Sequence, residues 1–260
     1  VAPAFVAVTN APLADQVDPM FNVKSVALAS GGGGIASFLI ESNTFGPFVQ
    51  GSVLLAAGTA ESAEFGAYAQ NEALSNCGSL ASNQTAFVTC AYKEYVSSLT
   101  MAGETAKLAN IQSVITQFAF AAQTALDSGD PSNYAASVAA LGTPVYMSVV
   151  VADGTNNNAD MVIPPMVASN PIAGSLPLAN LMGLSTVAET QGPTADAMSY
   201  VVKFTKGHHS SVLTPAATAD SGTTAEESAA ATAEMQLQIA TFLASRGQYL
   251  QVTNTEVVTE

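Results

Sequence analysis

Of the 260 residues, 48% are hydrophobic and only 10% are charged, so the chain has ample material for a core and is not a disordered one. Twenty acidic residues against six basic ones give a formal net charge of −14, which repels phosphate backbones and excludes nucleic acid as a partner. The apolar runs are short and interrupted by Gly, Ser or Thr, so no membrane span is predicted.

The chain opens on Val1 rather than Met, and together with the motifs below this leads us to expect a longer precursor cut into two parts. Residues 1–22 read as an irregular opening segment, with Pro3, Pro12 and Pro19 set against any regular element. A β-type run follows, Val23 to Ala29, which stops at Ser30 and four glycines, Gly31 to Gly34. Ile35 to Ile40 has helical character, so the unit is strand, turn, helix.

From about 41 to 140 the pattern is mainly helical. It is clearest over 103–127, where Leu108, Ile111, Ile115 and Phe118 recur at three- and four-residue steps. Asp127-Ser128-Gly129, with Pro131 beyond, ends that helix. Cys77 and Cys90 fall within this block, and no His or further Cys stands near them to complete a zinc site. In an exported protein they would form a disulfide worth roughly 3 kcal/mol; otherwise they are two buried thiols.

Pro144 to Val151 is almost wholly apolar and suits a central strand covered on both faces. A polar loop from Asp153 to Asp160 comes next. A third strand, Met198 to Thr205, leads into Lys206-Gly207-His208-His209-Ser210-Ser211. The last helix is expected over 224–246, with a Thr224/Glu227 capping box, a stripe of Met235, Ile239, Phe242 and Leu243, and Gly247 as its stop. Tyr249 to Val252 reads as an edge strand. Strands separated by helices predict an α/β fold with a parallel sheet, divided as 1–40, a helical insertion 41–140, and 141–260.

The chain has two histidines, the adjacent pair His208 and His209, on a Gly-flanked loop after a strand where a general base can be presented. Asp153 and Asp160 also lie past a strand end, where functional groups gather in open α/β sheets. A carboxylate there can fix the tautomer of an imidazole. The bland readings are two solvated imidazoles and an ordinary polar turn. Acid before histidine is the tail of the Ser…Asp…His order, yet no Gly-x-Ser-x-Gly occurs in the chain. Ser30 follows a strand and precedes a helix, but Leu28 stands where an elbow needs a small residue.

Several stretches together resemble the extracellular lipase and phospholipase family of Gram-negative bacteria, the virulence-associated lipase group. They are Ala29 to Ala36 with Glu41 to Pro47, Asp153 to Pro164, Gly207 to Pro215, and Glu234 to Ala240. The similarity runs from about residue 21 to the C-terminus and weakens in the helical block. It implies the C-terminal half of an α/β-hydrolase sheet, with 41–140 as a lid or cap. By position it makes His209 the base, with His208 the near miss, and Asp160 the acid, with Asp153 the alternative. It further implies carboxylic ester hydrolysis without metal or organic cofactor, on a lipid or other ester, with transient contact at a lipid interface. The nucleophile would come from a separate N-terminal chain of the same precursor carrying Gly-x-Ser-x-Gly, and the site of action would be extracellular or on the outer-membrane surface. Two further readings stand beside it: an esterase using Ser30 itself, and a secreted, non-catalytic binding domain of hydrolase-like architecture.

Overall fold

The computed structural model describes residues 2–11 and 22–260, so the expected breaks at Pro12 and Pro19 lie outside the described residues. In chain order the elements begin α1 (Ala2–Thr9), β1 (Val26–Ala29), α2 (Ile35–Glu41), α3 (Gly46–Ala56), α4 (Ala60–Gln70) and α5 (Ala73–Cys77). There follow α6 (Gln84–Met101), α7 (Thr105–Leu126), α8 (Ser132–Ala140) and β2 (Val145–Val150). The chain closes with α9 (Ser175–Leu181), β3 (Ser185–Thr186), β4 (Tyr200–Phe204), α10 (Ala225–Ala244) and β5 (Val258–Thr259). This is an α/β fold with an open mixed sheet of five strands. It divides into two compact units, one formed by the described residues up to Phe38 with Asp127–Glu260, the other by Leu39–Leu126.

In the first unit the sheet order is β1-β2-β4-β3, all parallel, and β5 adds antiparallel to β4. β3 pairs with the start of β4 at Tyr200 and Val201, and β5 with its end at Lys203 and Phe204, so two short strands share one edge. β2 is buried along its whole length because each face has a cover. Val145, Met147 and Val149 pack with Val6 of α1, Ala135 and Val138 of α8, Leu178 of α9 and Met182 just after it. Tyr146 and Val150 point the other way, into Met235 and Phe242 of α10. Each fully buried side chain of this size stabilises the fold by roughly 1.5–3 kcal/mol relative to exposure. β1 ends the sheet on the far side, and its second edge has no strand partner among the described residues.

Several expectations are corrected. Residues 2–9 are helical, because Pro3 lies in the first turn, where its missing N–H costs nothing. Residues 249–252 form no strand; only Leu250 bridges to Gln191, and the edge is taken by β5. The stretch lies instead along residues 190–191, where Val252 N–H donates to Thr190 Oγ1 (3.0 Å), and just beyond it buried Glu234 of α10 accepts the N–H groups of Thr253 (3.1 Å) and Asn254 (3.0 Å). The capping box of α10 is present: Thr224 Oγ1 accepts from Glu227 N–H and Glu227 Oε2 from Thr224 N–H. Of its stripe, Met235 and Phe242 are buried, whereas Leu243 is exposed.

The second unit packs α3 to α7 around Leu54, Phe65, Tyr92, Tyr95, Ile111 and Ile115. Phe65 lies between the rings of Tyr92 and Tyr95. The disulfide is formed: Cys77 at the end of α5 joins Cys90 in α6, with Cα atoms 5.9 Å apart. Phe118 departs from the expected stripe; it is exposed and, with Phe48, Val49 and Val53, lines an apolar cavity of about 580 Å³ within this unit. Residues 127–140 belong to the sheet-bearing unit, where α8 packs on α1 and α9.

Candidate functional site

β2 and β4 are adjacent and parallel, so the loops that leave their C-terminal ends start side by side. The first carries Asp160. Its N–H donates to the carbonyl of Val150 at 3.1 Å, folding the loop back onto the strand end. Its Oδ1 accepts the N–H groups of Val162 (2.8 Å) and Ile163 (3.0 Å), a local side-chain turn that fixes the carboxylate. Oδ2 remains, and it lies 2.8 Å from Nδ1 of His209 on the second loop. The Asp160 side chain is 1% exposed and the imidazole 33%, so the acid is sealed while the ring keeps an open side. Since the carboxylate accepts at Nδ1, the neutral ring carries its proton there and leaves Nε2 as an acceptor. Among the described residues Nε2 has no hydrogen-bond partner.

The two loops are also tied at their far limbs. Asn158 donates from its backbone to the carbonyl of Ser221 and from its side chain to that of Asp220, both at 2.8 Å. Gly222, at φ +69°, lies so close to Asn156 that no side chain fits. Lys206, directly after β4, bridges Asp153 (3.0 Å) and Glu227 (2.9 Å). Asp153 further accepts the N–H groups of Thr155, Asn156 and Asn157. The Thr155 N–H first, and the lysine second, hold its carboxyl well below the usual aspartate range. Asp153 therefore organises the loop, and Asp160 is the acid that meets an imidazole.

The neighbouring His208 is occupied at both ring nitrogens. Nε2 lies 2.8 Å from the carbonyl of Ala216, and Nδ1 accepts the N–H of Ser210 at 3.2 Å. Ser30 directly follows β1, has φ +49° and is buried; its N–H donates to the carbonyl of Ser148.

The glycine run supports the acid loop from the β1 side. Gly33 and Gly174 exchange backbone hydrogen bonds of 3.2 and 2.9 Å. Gly34 has φ +69°, and a Cβ there would stand 2.5 Å from that of Ala173. Asp130, buried, accepts the N–H groups of Gly34 (3.0 Å), Ile35 (2.7 Å) and Ser132 (2.9 Å), joining the starts of α2 and α8. This residue escaped the sequence reading; its signal was an acid just ahead of Pro131 at a helix start.

Among the described residues no group of three His, Cys, Asp or Glu is placed to hold a metal ion, and no helix is long and apolar enough to cross a membrane. No protein-family model, curated protein or solved structure matches the chain.

Proposed function

We propose that this chain supplies the acid and the base of a serine hydrolase acting on carboxylic esters, a lipase or esterase. The Asp160–His209 pair, 2.8 Å apart with a sealed carboxylate and an open imidazole, carries the reading. Asp160 holds the Nδ1–H tautomer, so Nε2 takes the proton of an attacking hydroxyl and returns it to the leaving alcohol. The hydroxyl comes from a Gly-x-Ser-x-Gly elbow on an N-terminal part of the same precursor, which extends the sheet at the outer edge of β1. Two observations support that arrangement: the chain has no such motif, and the second edge of β1 has no strand partner among the described residues, an edge of the kind that invites a strand. The fold is then the C-terminal half of an α/β-hydrolase sheet, accompanied by a separate helical unit, Leu39–Leu126. Met166 and Ile172 on the acid loop and Leu213 on the histidine loop are exposed, which favours an apolar acyl ester presented at a lipid interface. The disulfide fits an oxidising compartment and hence export.

The test is to co-express this chain with the precursor segment that precedes it and treat the complex with a fluorophosphonate probe. A labelled serine on the preceding segment, with labelling lost in His209→Ala, is expected; undiminished labelling in His209→Ala rejects the assignment.

One observation favours a second reading, in which Ser30 is the nucleophile. Its positive φ after a strand is the strained backbone that an elbow serine adopts. Hydrolysis of a short p-nitrophenyl ester by the 260-residue chain alone, abolished in Ser30→Ala, distinguishes this reading from the first.

A further inference from the structure

We infer that His208 is a positioning residue whose neutral, Nε2-protonated ring sets the histidine loop and thereby delivers His209 to Asp160; the inference rests on the hydrolase reading only for its kinetic consequence. The partners dictate the tautomer. The carbonyl of Ala216 can only accept, so Nε2 of His208 must donate across its 2.8 Å contact. The backbone N–H of Ser210 can only donate, so Nδ1 must accept. His209 is held in the opposite form, Nδ1–H, by Asp160. Two adjacent imidazoles are therefore locked in opposite tautomers.

The geometry also says what the lock holds. The His208 ring spans the loop from residue 208 to Ala216 and braces the segment on which His209 stands. Its backbone is pinned at the same point: His208 N–H donates to Ser211 Oγ (2.8 Å), and Ser211 N–H returns to the His208 carbonyl (3.0 Å). α10 grips the far limb, with Thr232 Oγ1 donating to the carbonyl of Thr214 and Gln236 to that of Val212. Among these contacts, the His208 ring alone presents an acceptor and a donor at a fixed separation on one rigid group. Asparagine offers the acceptor near the Nδ1 position, glutamine the donor near the Nε2 position, and phenylalanine neither.

The experiment reads the ¹⁵N tautomer state of both imidazoles by long-range ¹H–¹⁵N correlation on the full chain above the pH at which either ring is protonated. The native chain is expected to show His208 as Nε2–H and His209 as Nδ1–H. In His208→Phe, His209 is expected to relax toward the Nε2–H form that a free imidazole prefers, and His208→Asn and His208→Gln to fall between. In the complex with the preceding segment, kcat on an ester is expected to drop about 100-fold in His208→Phe with KM little changed, since a misplacement of about 1 Å has that effect. A native His208 in the Nδ1–H form, or a His209 that stays Nδ1–H in His208→Phe, overturns the inference. Should His208→Phe fail to fold, a His209 unchanged from native in both His208→Asn and His208→Gln overturns it equally. The tautomer measurement needs no turnover, so absence of esterase activity would sink the hydrolase reading and leave this one standing.

Discussion

Lys206 places its ammonium 3.0 Å from the carboxylate of Asp153, and this contact separates the two acids that follow β2. Asp153 is consumed by the lysine and by the turn it caps, whereas Asp160 keeps one oxygen for His209. Asp160→Asn should therefore lower kcat by about 10⁴-fold, because the amide favours the wrong tautomer of His209. Asp153→Asn should leave kcat within about tenfold of the parent and lower the melting temperature instead. Steady-state kinetics on a p-nitrophenyl ester, paired with thermal melts, checks both. Equal loss of kcat in the two variants would show that the acid has been misassigned.

The same cluster makes stability depend on pH. Asp153 and Glu227 are held below their ordinary values, each chiefly by backbone N–H donors and then by Lys206. A carboxylate whose folded pKa is depressed stabilises the protein fully above its unfolded value, about 4. That contribution is lost as the pH falls further. Lys206 is raised, first by its bond to Glu227, so its contribution is complete below its unfolded value of about 10.4 and is lost at higher pH. Lys206→Met is expected to lower Tm by about 2–4 °C at pH 7, and to flatten the decline of Tm at the acid end. An unaltered acid limb in that variant would show that the cluster is not coupled to folding.

Much of this arrangement was legible in the sequence, for physical reasons that differ by element. β2 announced itself because a strand covered on both faces must be apolar at every position, and α10 because its cap and stop residues are local chemistry. The meeting of Asp160 and His209 was expected from motif resemblance and loop order, and the 2.8 Å contact is where that expectation could have failed. What escaped depends on partners distant in sequence. The β-prone stretch at 249–252 meets Thr190 and Gln191 and leads into backbone bonds to Glu234, partners about 20 to 60 residues away in the chain, and forms no strand. Asp130 binds Gly34 and Ile35 across the sheet-bearing unit, which no local pattern encodes. His208 and His209 are identical in type and adjacent, so their different partners are visible only in three dimensions.

The helical unit depends on its crosslink. Cys77 and Cys90 are 13 residues apart and join α5 to α6, and restricting a loop of that size in the unfolded chain stabilises by about 3 kcal/mol. Replacing both by alanine should lower the stability of this unit by about 2–4 kcal/mol. Urea unfolding of the double variant, against the parent with and without reductant, measures it. A parent indifferent to reductant would mean that the crosslink adds nothing to the native fold.

Gly34 offers the sharpest check on how the acid loop is supported. At φ +69° a side chain costs about 1–2 kcal/mol in backbone strain alone. A methyl group there would also stand 2.5 Å from the Cβ of Ala173, and forcing such an overpacked contact apart costs about 1–3 kcal/mol more. Gly34→Ala should therefore destabilise by about 2–5 kcal/mol, the sum of the two. Gly31 is the control: its nearest neighbours, Leu28 Cβ and Met147 Cε, stand at 3.8 Å and its φ is ordinary, so Gly31→Ala should cost less than about 1 kcal/mol. Because Gly33 and Gly174 bind each other beside Gly34, displacement of Ala173 moves the far limb of the loop that carries Asp160. Gly34→Ala should thus also reduce ester hydrolysis more than its loss of folded protein accounts for, whereas a variant that is destabilised yet fully active per folded molecule would show that the glycine run supports the fold and not the site.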